Sequence, residues 1–510
     1  MSVESFLPRL ARACAMEPTR TAFQFASRTV TFDEFGRLVQ GIRDVIGNRI
    51  PETERRVAIL ATQDEYTYAS IVAVMSTGRA YVPLNPSTPS ERNLGCLRQA
   101  DTTTVLCTAT TVELENWNAS LGGRLTILET SGAPKTQALR RIEAPPESSV
   151  AYLLFTSGST GVPKGVPVYH RNLTAFLHAC IDASGFEFSS DDRFLQMFDL
   201  TFDLSIMSFA VPLCVGATCC VVPTDGPGFL AVARTLSRSS VTVSLMVPSA
   251  LTFLKRYFDE IHLPALRLAL FCGEALPEAL ARSWWKCAPN ARLLNVYGPT
   301  EATIFCSSYE LMRSASSSDE YQGIVSIGAP FAGIDFRIVD DGLNSLEAGE
   351  KGELIILGGQ VTDHYWRNES RTEAAFVTLP DGSRGYRSGD LAFSEGRNFY
   401  YCGRMDNQIK IAGYRVEIGD IEHHARLLRS VKDAVVIGHP SANGNTELHL
   451  FLLVDDAKST EERKGFRSDL AMALPSYMVP HRIHTFMTFP LNQNGKVDRK
   501  ALMSGVLREE

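Results

Sequence analysis

Between about residues 55 and 300 the chain alternates two textures, and that alternation limits its fold more than any other feature. Short apolar and β-branched runs at 57–60, 150–155, 241–245, 266–272 and 292–297 are each followed by a longer segment with helical spacing. Such a pattern reads as strands of a largely parallel sheet joined by crossover helices, so an α/β fold is expected. Sheets of this kind bind ligands beyond the carboxyl ends of their strands, which directs attention to the residues just after each run.

The texture then changes. From about 320 to 403, strand-like pieces at 336–339 and 352–357 alternate with turn signals such as Asp340-Asp341-Gly342, which predicts a β-rich subdomain. After Gly403, strand patterns at 434–438 and 447–454 and helical patterns near 418–429 and 460–473 predict a small α+β domain. At 510 residues the chain exceeds one ordinary core, so the expected division is a large domain over 1–403 and a small one over 404–510.

Composition removes several functions. The net charge is −7 and no run of five Lys or Arg occurs, which argues against nucleic acid as the main partner. The N-terminal stretch lacks a continuous apolar core, and no segment is apolar for eighteen residues, so neither a signal peptide nor a membrane span is expected. Eleven cysteines, several inside apolar runs and none in a CxxC pair, read as buried reduced thiols of a cytoplasmic protein rather than a disulfide or zinc framework.

Chemistry concentrates at Thr156-Ser157-Gly158-Ser159-Thr160-Gly161-Val162-Pro163-Lys164-Gly165, directly after an apolar strand. Glycines let a backbone approach phosphate and present N–H groups, hydroxyls add donors, and Lys164 adds positive charge. The spacing is not that of the Walker loop. This segment resembles the phosphate loop of the adenylate-forming superfamily: acyl-CoA synthetases, luciferases and the adenylation domains of nonribosomal peptide synthetases. Further stretches match in order: Asn295-Val296-Tyr297-Gly298-Pro299-Thr300-Glu301, Tyr386-Arg387-Ser388-Gly389-Asp390, Gly403-Arg404-Met405-Asp406-Asn407-Gln408-Ile409-Lys410, and Asn494-Gly495-Lys496-Val497-Asp498-Arg499-Lys500.

The resemblance implies a role for each. Tyr297 and Asn295 would meet adenine, beside Val296, Gly298, Gly273 and Glu274; Asp390 would accept the ribose hydroxyls near Arg404. Thr300 would touch the α-phosphate and Glu301 would ligate Mg²⁺. Lys496 would bridge carboxylate and α-phosphate during acyl transfer, with His170 in the catalytic set. Asp406 would be a hinge, and Gly413-Tyr414-Arg415 would line the thiol's tunnel. Read without the resemblance, Lys496 is a turn lysine, Asp390 a turn aspartate and Glu301 a surface glutamate.

Phe202-Asp203-Leu204-Ser205 resembles the segment whose Asp binds the α-ammonium in amino-acid-activating members; the alternative is that Asp203 caps the helix beginning there. The remaining pocket positions carry over as Leu204, Met207, Leu245, Leu270, Cys272, Val296, Ile304 and Phe305. None is charged, which implies a neutral, small or aliphatic substrate side chain. The motifs are similar to those of D-alanine–carrier-protein ligases and stand-alone adenylation domains, with Phe305 a departure from the former. Asn85, Tyr169 and Ala412 depart from common family residues. The implied activity is ATP- and Mg²⁺-dependent formation of an aminoacyl-adenylate, then thioester transfer to a carrier protein's phosphopantetheine or to coenzyme A. The alternatives are an acyl-CoA synthetase for a small acid and a catalytically silent nucleotide-binding module.

Overall fold

All of the apolar runs become strands: Arg56–Leu60, Val150–Thr156, Val243–Met246, Leu268–Phe271 and Arg292–Tyr297. The computed structural model describes residues 4–134, 139, 142–158, 162–224, 228–314, 319–406, 408–441, 445–455, 460–490 and 497–506. The strands divide between two sheets. One has six strands in the order Thr126–Glu129, Thr104–Cys107, Arg56–Leu60, Ala80–Leu84, Val150–Thr156, Lys164–Tyr169, with parallel pairing from the first to the fifth.

The other has nine strands around a parallel centre of Arg193–Gln196, Val243–Met246, Leu268–Phe271 and Arg292–Tyr297. Toward its edges the pairing turns antiparallel, through Ser307–Leu311 on one side and Thr21–Gln24 with Thr29–Thr31 on the other. Every residue of Val243–Met246 and Leu268–Phe271 is buried. Parallel strands covered on both faces need apolar side chains on both, which is why these segments read as unbroken runs.

A third sheet is antiparallel and holds Ile334–Val339, Gly352–Gly358, Phe376–Thr378, Arg384–Glu395 and Asn398–Arg404. Its long strand Arg384–Glu395 alternates buried and partly exposed positions, as a strand with one wetter face does. One apolar cluster joins the three sheets, drawing Tyr81 and Tyr152 from the first, Phe194 and Leu270 from the second and Phe336 and Leu354 from the third.

The chain forms two compact units. The first comprises Met1–Pro86, Cys96–Phe155 and Gly165–Met405; the second comprises Ser87–Gly95, Thr156–Lys164 and Asp406–Glu510. In the second, Thr446–Val454 lies between antiparallel Val431–Pro440 and parallel Arg482–Phe486. Helix Ile418–Arg426 covers a core that includes Ile421, Val436, Leu450 and Met478. A separate hairpin, Gln408–Ile411 with Tyr414–Glu417, turns through Ala412 at φ +49° and Gly413 at φ +84°. Two left-handed residues give the turn whose twist matches that of the flanking strands.

The cysteines are all free, and all but Cys402 are buried. Among the described residues no helix is long and apolar enough to cross a membrane. Strands and helices in both units make the fold mixed α/β.

Candidate active site

The carboxyl end of Arg292–Tyr297 organises the first unit's polar centre. The Tyr297 hydroxyl donates to Asp390 Oδ2. Arg404 Nη1 donates to Asp390 Oδ1 at 2.8 Å and to the Ser388 carbonyl at 2.8 Å. Asp390 and Arg404 face each other across an antiparallel pair, and the Ser388 hydroxyl accepts from the Asp390 N–H at 3.0 Å. Residues from three motifs, far apart in sequence, thus meet on one buried carboxylate. Burial and the Asp390 charge push the Tyr297 hydroxyl well above its ordinary pKa, so Tyr297 stays a neutral donor. The carboxylate is held by opposite charge on one oxygen and a phenol on the other, which fixes its direction.

Asn295 is tied to backbone on one side. Its Nδ2 donates to the carbonyls of Val325 at 3.2 Å and Ser326 at 2.9 Å. Its NH₂ thus ties the end of the strand to the 325–326 segment, which fixes the direction of the amide. Glu274 has a structural duty too, accepting the Ser249 N–H at 2.7 Å at the start of helix Pro248–Leu254. Gly273 has φ +90°, a conformation suited to glycine.

Glu301 sits in the short 3₁₀ turn Thr300–Ala302 and is fully buried. Tyr365 donates its hydroxyl to Glu301 Oε1 at 2.6 Å, and Thr362 N–H bonds the Glu301 carbonyl at 2.9 Å. The surface-glutamate alternative is therefore excluded. Gly298 is obligatory by packing, because a Cβ there would lie 2.5 Å from Phe305 Cα. Tyr365 and Gln360 carry no motif and yet enter the site; Gln360 is taken up below.

Asp203 stands at the start of helix Leu204–Val215 and is only 6% exposed. Its backbone is already helical, at φ −65° and ψ −27°, and its side chain makes no capping hydrogen bond. The helix-cap alternative fails on that geometry, since a capping residue normally has extended backbone and accepts from the first turn. Buried Tyr81 and Tyr152 have hydroxyl pKa values raised first by burial and further by the Asp203 charge. Leu204, Met207, Leu245, Leu270, Cys272, Val296, Ile304 and Phe305 are all buried members of the same apolar cluster. Phe305 is set edge-on between Phe176, at 5.1 Å, and Phe331, at 5.9 Å.

The hydroxyl- and glycine-rich loop joins two neighbouring strands of the six-stranded sheet, with no helix after it. Thr156 has a buried hydroxyl with no hydrogen-bond partner, and Ser157, Gly158 and Lys164 are buried. Ser159, Thr160, Gly161 and Lys496 lie outside the described residues, as does Asn407. In the second unit Asp406 Oδ1 accepts from the Gln408 N–H at 3.1 Å, and Tyr414 stacks on Tyr477 at 3.8 Å.

His170, expected in the catalytic set, is buried, its Nε2 has no partner, and burial pushes its pKa down to about 4. The imidazole is therefore neutral near pH 7. The departures at Asn85 and Tyr169 find physical reasons: Asn85 donates to half-buried Asp199, where a second carboxylate would repel, and Tyr169 stacks with the Arg171 guanidinium at 4.1 Å.

Known proteins of similar sequence and shape point the same way. The family model described as AMP-binding enzyme matches residues 10–366. The chain is 30% identical over 507 residues to the D-alanine–D-alanyl carrier protein ligase of Bacillus cytotoxicus, spanning 96% of this chain and 97% of that protein. It is 33% identical over 502 residues to a plipastatin synthase of Bacillus subtilis, spanning 97% of this chain and 13% of that protein. Among solved structures it is similar to the Vibrio cholerae adenylation domain AlmE in complex with glycyl-adenosine-5′-phosphate, with a TM-score of 0.86 and 26% identity, over 100% of this chain and 98% of that one.

Proposed function

This chain belongs to the AMP-binding enzyme family, and from that premise we propose that it uses ATP to activate a neutral amino acid as the aminoacyl-adenylate, then passes the acyl group to a carrier-protein thiol. The observation that carries the choice of an amino acid is Asp203: a buried carboxylate at the start of a helix that it does not cap. A substrate ammonium would match its charge, and the apolar surroundings of the pocket positions suit a neutral side chain. The names of the relatives support the carrier protein as acceptor.

In the first half-reaction a substrate carboxylate oxygen attacks the α-phosphorus of ATP and pyrophosphate leaves. Asp390, fixed by Tyr297 and Arg404, accepts the ribose hydroxyls. The backbone N–H groups and hydroxyls of the loop from Thr156 to Gly161, with Lys164, bind phosphate oxygens. Thr300 faces the α-phosphate, and Lys496 offsets charge developing on the transferring oxygens. In the second half-reaction the thiol sulfur attacks the acyl carbon and AMP leaves. We assign 1–403 as the core domain and 404–510 as the mobile one, with Asp406 the hinge and Gly413-Tyr414-Arg415 beside the incoming thiol.

Glu301 fits a Mg²⁺ ion: it is a buried hard-oxygen donor, and such ions are commonly held by one or two carboxylates plus substrate phosphates. Among the described residues no cluster of three metal-ligating side chains occurs. When bound, the ion would neutralise phosphate charge; Tyr365 orients the carboxylate that holds it.

Trapping with hydroxylamine tests the reading. With ATP and Mg²⁺, a neutral amino acid should give its hydroxamate. Hydroxamates only from acids that lack an amino group would make the chain an acyl-CoA synthetase, and none from any acid would make it a silent nucleotide-binding module.

A further inference from the structure

Two consecutive residues after Glu301 adopt left-handed backbone although neither is glycine: Thr303 at φ +55° and Ile304 at φ +76°. For a β-branched residue this conformation is a genuine outlier, maintained only where the surroundings over-determine it. Among the side chains around it, one amide reaches three of the turn's carbonyls. Gln360 Nε2 donates to the carbonyls of Phe305 at 2.9 Å, Thr303 at 3.4 Å and Ala302 at 3.3 Å. The Thr303 hydroxyl donates back to the Gln360 carbonyl. Three carbonyl partners fix the amide's orientation, and Oε1 is left buried with no partner. A buried acceptor without a donor is unfavourable, so the stabilising contacts of this side chain are those of its NH₂.

Gln360 belongs to a strap, 359–362, that is itself clamped. Asn172 Nδ2 donates to the Gly359 carbonyl at 2.8 Å and the Val361 carbonyl at 3.0 Å, and Thr362 bonds both the Pro167 carbonyl and the Glu301 carbonyl. The strap therefore reaches from helix His170–Leu177 to the turn that carries Glu301, Ile304 and Phe305.

We propose that Gln360 is the positioning residue of the substrate pocket: its amide holds the left-handed turn at Thr303 and Ile304, and so sets where Ile304 and Phe305 stand against the substrate's side chain. This rests on the reading of Ile304 and Phe305 as pocket residues. Gln360 touches neither nucleotide nor substrate; it acts through the turn. Removing its donors lets the turn relax toward ordinary backbone, which shifts the pocket wall more than the nucleotide side, where the Asp390 carboxylate is fixed by Tyr297 and Arg404 and not by the turn.

The test uses the full chain with Gln360→Met, which keeps length and removes the donors, and Thr303→Val, a milder change that removes only the bond to the Gln360 carbonyl. Pyrophosphate exchange gives KM for the amino acid, KM for ATP and kcat; AMP affinity and thermal unfolding are measured alongside. Gln360→Met should raise KM for the amino acid about tenfold, the effect of losing roughly one hydrogen bond's worth of positioning, with kcat and AMP affinity changed less than about threefold. It should also accept a wider set of amino acids. Thr303→Val should move KM in the same direction by less. A merely structural role would lower thermal stability and active fraction without splitting KM from kcat, and that result overturns the proposal. If the wild type exchanges with no amino acid, the pocket reading falls and this inference with it; if it exchanges and the variants keep its KM and its selectivity, the inference alone falls.

Discussion

At the residue scale, the chemistry of single side chains is legible to different depths. Asp390, Arg404, Tyr297 and Glu301 can be named from their motifs because each motif carries a charged or aromatic group beside glycine. What no motif can show is that three of them share one carboxylate, since that depends on the register of strands and on contacts between residues up to a hundred positions apart. Asn295 is ambiguous in sequence because an amide serves backbone carbonyls as well as it serves a base. His170 gives a test by pH. In the folded chain its pKa is about 4, against about 6.5 unfolded, so between those values the unfolded chain binds a proton that the folded chain does not. Acidification through that window therefore favours unfolding. From pH 7 to 4.5 the wild type should lose about 2 kcal/mol more stability than His170→Gln in denaturant titrations. Equal losses would show that the ring is not held neutral.

At the scale of elements, Arg292–Tyr297 matches its apolar run residue for residue, and Gly352–Gly358 extends its expected span by one. Buried parallel strands write themselves into sequence as unbroken apolar runs, so their existence is local information. Their neighbours are not. Thr21–Gln24 pairs with Thr218–Val221 across nearly two hundred residues, and nothing in TAFQ marks that partner. The 359–362 strap is equally hidden: Gly358-Gly359 reads as a turn, and the buried work of Gln360 emerges only when the turn at Thr303 is seen to need it. The tightness of that turn makes a prediction of its own. In Gly298→Ala the new Cβ would meet Phe305 Cα at 2.5 Å and Cys306 N at 3.0 Å, both backbone atoms that no rotamer change can move. The turn must shift, which should cost about 1–3 kcal/mol in stability and about a hundredfold in exchange rate. An active, equally stable variant would mean that the turn is looser than its hydrogen bonds indicate.

At the scale of the whole molecule, two compact units carry the parts of the proposed reaction, and the second rests on its own small core. Lys496 is assigned to chemistry rather than to folding. Lys496→Ala should therefore lose roughly 10²–10³ in adenylation rate while AMP affinity and thermal stability remain those of the wild type. A parallel loss of AMP binding would make the lysine part of the nucleotide site instead. The central claim is that a buried aspartate selects an amino acid. It is tested most directly by exchange of labelled pyrophosphate into ATP across neutral amino acids of both hands and short fatty and aryl acids, for the wild type and Asp203→Ala. The account predicts wild-type exchange with one or a few neutral amino acids and a loss of about 10²–10³ in kcat/KM in Asp203→Ala, because the ammonium loses its buried counter-charge. Exchange confined to acids without an amino group, with Asp203→Ala as active as the wild type, would contradict it.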